Sequence, residues 1–155
     1  MLFALIVDDH VALRSAVARH FERRGWQVVS AANGLQGLDA VRRRSFDVVI
    51  SDVNMRERGG VWWWENALAL RPELRGRFIL ISSEPLPEPR VMPDFESEHV
   101  LLKPLSLTTL CDAVQRVVQT AEETRSEQQS AWVGHGTLHR TVDHRESRRS
   151  HLGDQ

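Results

Sequence analysis

A chain of 155 residues, 41% hydrophobic and 26% charged, can bury one core without disulfides or metal staples. Its formal net charge of −1 gives no overall field to draw it to nucleic acid or an anionic membrane, and its single cysteine, Cys111, excludes an internal disulfide framework and a cysteine-rich zinc site. No apolar run is long enough to span a bilayer, and the apolar start breaks at Asp8 without a basic flank, so neither a membrane segment nor a signal peptide is expected.

Leu2–Val7 is a short continuous apolar run, the pattern of a strand buried on both faces, and it ends in two adjacent acids, Asp8 and Asp9. Apolar residues then recur at helical spacing over Val11–Arg24, with Leu13, Val17 and His20/Phe21 inward, and Gly25 supplies a stop. Trp26–Ala31 reads as a second strand and Asn33-Gly34 as a turn. Leu35–Arg44 reads as a helix with Leu35, Leu38 and Val41 inward and basic residues at its C-terminus, where positive charge is favourable.

Phe46–Ser51 is a third strand running into Asp52, and Gly59-Gly60 form a turn before a helix over Val61–Leu70. Arg77–Ser82 is a fourth strand and Val100–Leu102 a short fifth. Ser106 is placed to cap a last helix with Leu107, Leu110, Cys111, Val114, Val117 and Val118 inward. Apolar strands alternating with helices require a parallel sheet covered on both sides, joined by right-handed crossovers. The expected domain is 1–121, with 122–155 a polar, disordered tail.

In open parallel sheets of this kind, ligands bind outside the carboxyl ends of the strands. Those ends carry Asp8-Asp9, Asp52, Ser82-Ser83 and Lys103. Three converging carboxylates repel and call for a divalent cation, and carboxylates with a backbone carbonyl and waters are what Mg²⁺ prefers. The hydroxyl and the ammonium suit an anion such as a phosphoryl group. Lys103 is the only lysine beside 19 arginines, which marks a position where a compact ammonium serves and a planar guanidinium does not. The acidic pair would also suit the N-terminus of the first helix, but a cap does not account for Asp52 and Lys103 at the same edge.

This constellation resembles the receiver domain of two-component response regulators. The matching residues are the acidic pair in LIVDDH, Asp52 in VVISDVNM, Gly60, Ser82 in ILISS and the Lys-Pro of LLKPLS, over Leu2 to about Ala121. The resemblance implies a flavodoxin-like α/β fold, a doubly wound five-stranded parallel sheet in the order 2-1-3-4-5. It implies that Asp52 is the phospho-acceptor, that Asp9 and Asp52 ligate Mg²⁺ with the backbone carbonyl of Asn54, and that Asp8 acts through metal-bound water. Ser82 and Lys103 would each bind a phosphoryl oxygen.

Three features depart from the family. Arg56 stands where receivers usually have Pro, and Val100 where they often carry an aromatic residue that couples phosphorylation to a surface change. The third is the stretch SSEPLPEPRVMPDFESEH, where a fourth helix would normally lie. Pro85, Pro87, Pro89 and Pro93 each remove a backbone donor, so an extended or looped segment is expected, with at most a short turn near Asp94–Glu98. A helix spreads the consecutive tryptophans around its axis, so they cannot all face the core; the resemblance implies Trp63 and Trp64 inward and Trp62 outward, as an interface anchor or a half-buried ring. The tail histidines His135, His139, His144 and His151 and the Arg145–Arg149 stretch are read as solvated low complexity, not as a metal site or a nucleic-acid arm.

The expected function is therefore that of a stand-alone cytoplasmic receiver, without turnover of a separate substrate. It would accept a phosphoryl group on Asp52 from a sensor histidine kinase or a histidine phosphotransfer protein. It would signal by contacts with a downstream protein, without binding DNA or membrane directly. The alternatives are a receiver-like binding module independent of phosphorylation and a Mg²⁺-dependent phosphohydrolase with an aspartyl nucleophile. The latter class usually has a second Asp two residues after the first, where this chain has Asn54.

Overall fold

A computed structural model of the chain describes residues 1–56, 59–85 and 99–127. The proline-rich stretch from residue 86, the proposed turn at Asp94–Glu98 and the histidine-bearing tail lie outside the described residues. Five strands, β1 (Phe3–Val7), β2 (Gln27–Ala31), β3 (Val48–Asp52), β4 (Phe78–Ser82) and β5 (Val100–Leu102), alternate with helices α1 (Val11–Glu22), α2 (Gly34–Arg43) and α3 (Gly60–Leu70). A 3₁₀ turn, Pro72–Leu74, leads into β4, and a last helix, α4, covers residues 107–127. All pairings are parallel, and the order is β2-β1-β3-β4-β5, as expected of the flavodoxin-like fold.

The continuous apolar runs are explained by burial on both faces. Every residue of β3 and β4 is buried, as are four of the five in β1. Alternate residues of the central strands feed two cores, because successive side chains point to opposite faces. Leu5, Val7, Val49, Phe78 and Leu80 join Leu38, Val41 and Trp63 on the α2/α3 side. Ala4, Ile6, Ile50, Ile79 and Ile81 join Val17, Phe21, Leu110 and Val114 on the α1/α4 side.

The helix caps follow local chemistry. The Asn33 carboxamide oxygen accepts from the Gln36 backbone N–H at 2.9 Å, and Gln36 Oε1 accepts at 2.8 Å from the N–H of Ala32, one residue before the cap, a variant of the capping box. Ser106 caps α4 as expected, accepting from the Thr109 N–H at 3.1 Å. At α1 the cap residue is His10 without a side-chain cap bond, so Asp8 and Asp9 are not its cap.

Three inward assignments are corrected. Leu13, Leu35 and Leu107 are 45%, 50% and 43% exposed. Helix α2 begins at Gly34 and presents Gly34, Gly37, Leu38 and Val41 to the core, which rotates Leu35 outward. Gly37 has a packing reason. A Cβ there would lie 3.1 Å from the Trp63 ring, so its lack of a side chain admits the indole. Trp63 and Trp64 are buried, as expected, while Trp62 is half-buried against the same cluster.

Candidate functional site

The register of the sheet brings the chemical residues together. Val7 pairs with Ser51, Asp52 with Ile81, and Ser82 with Leu102, so Asp8, Asp52, Ser82 and Lys103 all fall at or just beyond one rim. Backbone bonds extend the ladders by one residue. Asp8 N donates to Ala31 O at 3.1 Å, Val53 N to Ile81 O at 3.0 Å, and Lys103 N to Ser82 O at 2.8 Å. These bonds hold the roots of the functional side chains on rigid elements.

Asp52 is 2% exposed, and a carboxylate so buried is costly unless it is paired and hydrogen-bonded. Both oxygens have partners. Oδ2 forms an ion pair with Lys103 Nζ at 2.9 Å, and Oδ1 accepts from the Asn54 backbone N–H at 3.0 Å. Asp8 is also buried, and its Oδ1 accepts from the His10 backbone N–H at 2.9 Å. Asp8, Asp9, His10 and Asp52 each offer a ligand atom, all within 4.8 Å of one another. Ser82 is buried at the same rim, with its hydroxyl donating to Glu84 O at 2.5 Å.

Asp9 Oδ1 tests the fit to a cation. This oxygen is buried without a hydrogen-bond partner. It lies 3.1 Å from His10 Nδ1, close enough for an ion pair but not aligned as a hydrogen bond. An unpartnered buried carboxylate oxygen beside two further acids is the environment a hard divalent cation satisfies, and the oxygen-rich donor set suits Mg²⁺.

Two features escape a reading of the sequence alone. His10 belongs to the acid cluster, and its position next to the acidic pair was the one signal available. Below the rim, Trp63 Nε1 donates to Ser51 Oγ at 2.9 Å, and Ser51 Oγ donates to the Asp52 carbonyl at 3.0 Å. Gly60 packs against the same carbonyl, since a Cβ there would lie 2.9 Å from Asp52 O and 2.8 Å from Val53 Cα. Strand β3 is thus tied to α3 through its backbone. On the opposite side of the sheet, a cavity of about 510 Å³ opens beside Asp8, Asp52 and Lys103, walled by Ile50, Val17 and Leu110 with Leu13 and Leu107 also in its lining.

A doubly wound parallel sheet with clustered acids and one lysine at its carboxyl rim defines a class of α/β domain built to hold a charged ligand at that rim. The family model of the response regulator receiver domain matches residues 4–115, and the chain belongs to that family. The transcriptional activator protein PfeR of Pseudomonas aeruginosa is 32% identical over 119 residues, which cover 74% of this chain and 38% of PfeR. Sporulation initiation phosphotransferase F of Bacillus subtilis is 39% identical over 57 residues, 37% of this chain and 46% of that protein. The chain therefore spans less than half the length of these curated relatives.

Among solved structures, the chemotaxis protein CheY4 of Vibrio cholerae matches with a TM-score of 0.64 and 28% identity, over 76% of this chain and 98% of that one. A CheY-like receiver domain from Methanospirillum hungatei matches with a TM-score of 0.71 over 80% of this chain and 98% of that one; at 22% identity it shows the fold alone. No helix among the described residues is long and apolar enough to cross a membrane.

Proposed function

We propose that this receiver domain accepts a phosphoryl group on Asp52 from the phosphohistidine of a sensor histidine kinase or a histidine phosphotransfer protein. The observation that carries the reading is the pairing of buried Asp52 with half-buried Lys103 at 2.9 Å, at the rim beside Asp8 and Asp9. One Asp52 oxygen attacks phosphorus, the P–N bond of the donor breaks, and the imidazole leaves with the bonding electron pair. Lys103 then has an anionic phosphoryl oxygen to pair with in place of the carboxylate. Asp9, Asp52 and the Asn54 carbonyl would hold Mg²⁺, with Asp8 acting through a water. When bound, the cation neutralises charge on the transferring group. For Ser82 to donate to a phosphoryl oxygen, its hydroxyl must turn from Glu84 O.

The domain then signals by protein contacts, in the cytoplasm and without touching DNA itself. One observation favours a second reading, a binding module independent of phosphorylation. Val100, half-buried in β5, stands where an aromatic coupling residue is expected. Incubation with Mg²⁺ and acetyl phosphate, followed by intact-mass measurement, separates the two. The first reading requires the mass gain of one phosphoryl group, lost in Asp52→Ala. Absence of uptake by the native chain overturns it in favour of the second.

A further inference from the structure

We propose that His10 is a nitrogen ligand of the divalent cation at this site, and that it raises the preference for Mn²⁺ over Mg²⁺. The inference rests on the reading of the acid cluster as a cation site. His10 Nδ1 lies 3.1 Å from Asp9 Oδ1 and 3.3 Å from Asp8 Oδ1. Neighbouring donor atoms on one octahedral cation with bonds of about 2.1 Å are about 3 Å apart, so the separation from Asp9 Oδ1, the proposed direct ligand, matches one edge of such a shell.

The three residues are consecutive, and their backbone is held. The His10 main-chain N–H is bonded to Asp8 Oδ1, and the residue is extended (φ −85°, ψ 104°) at the cap position of α1. The imidazole makes no cap bond to the helix, and it faces the acids. Its 3.3 Å contact with Asp8 Oδ1 is a long hydrogen bond, and the 3.1 Å approach to Asp9 Oδ1 is not aligned as one. The Asp9 pair meets as atoms do that face a common centre rather than each other. Mg²⁺ takes oxygen ligands almost exclusively, whereas imidazole binds more readily to first-row transition cations, and affinity for a mixed site rises along that series. Replacing one water or oxygen by His10 therefore favours Mn²⁺ relative to Mg²⁺.

The test uses the whole chain, with Mn²⁺ as the probe. Mn²⁺ that excess Mg²⁺ displaces marks the shared site, and pulsed electron paramagnetic resonance reads nitrogen coupling to it. The expected result is a nitrogen coupling that disappears in His10→Ala. In that variant Mn²⁺ binding weakens about tenfold, the lower end of what loss of a metal-orienting partner costs, and Mg²⁺ binding changes far less. His10 is largely exposed, so the variant folds as the native chain does. Shared-site Mn²⁺ without nitrogen coupling, or with coupling that persists in His10→Ala, overturns the ligand assignment and leaves the cation site standing. Absence of any Mn²⁺ that Mg²⁺ displaces overturns both.

Discussion

Against one face of the sheet the chain packs three large rings, Trp63, Phe46 and Phe78, all essentially excluded from water, with Trp63 and Phe78 centroids 5.2 Å apart. Against the other it packs aliphatic chains with Phe21 and a half-buried Trp26, and leaves a cavity of about 510 Å³ beside the acids. Asp52 belongs to the strand between them. Its backbone is anchored to the first face through Ser51 and Trp63, while its carboxylate borders the cavity on the second. The contrast teaches a division of labour. The acceptor proposed above must be held within a fraction of an ångström, which dense packing supplies, and its phosphodonor must have room to reach it.

The largest test of this contrast compares truncation on the two faces. Trp63→Ala removes a fully buried ring and its hydrogen bond to Ser51, and should cost about 3–5 kcal/mol in urea unfolding. Leu13→Ala, at the cavity, should cost under about 1 kcal/mol, because that side chain is already 45% exposed. Equal losses would remove the distinction between the faces.

Gly60→Ala addresses the anchor itself. The new Cβ would meet the Asp52 carbonyl and Val53 Cα, neither of which can rotate away, and the expected cost is about 1–3 kcal/mol with slower phosphoryl uptake on Asp52. Unchanged uptake at reduced stability would show that the backbone contact does not position the acceptor.

The smallest effect lies away from both faces, at the turn before β4. Bonding of the Glu73 carboxylate to its own backbone N–H, and then the side chain of Arg71, hold its pKa below the ordinary 4.5. A lowered folded pKa means a stabilisation present above pH 4.5 and lost as pH falls through the folded value. Glu73→Gln should slightly flatten the acid limb of the stability curve while leaving neutral-pH uptake intact, measured by urea unfolding at stepped pH. The group is largely solvated, so the effect should be small.

Much of the architecture was legible because its signals are local. Uninterrupted apolar runs such as Leu2–Val7 marked strands buried on both faces, and the alternation with helical spacing required parallel pairing. Asp52 and Lys103 stood out because each follows such a run. Leu13, Leu35 and Leu107 misled for a single reason: an apolar residue at helical spacing is inward only if something packs over it. Gly37 turned α2 by its smallness, and the cavity left Leu13 and Leu107 without cover.

The sequence by itself determined the strands, the order of the elements, the acids at the rim and the lone lysine among arginines, since each depends on residue type and near neighbours along the chain. Only the tertiary structure decided that Lys103 reaches Asp52 across 51 positions, that Trp63 bonds Ser51 beneath it, and that His10 turns to the acids. Those contacts depend on sheet register and on which helix faces which ring, and both are set by packing between segments far apart in the chain.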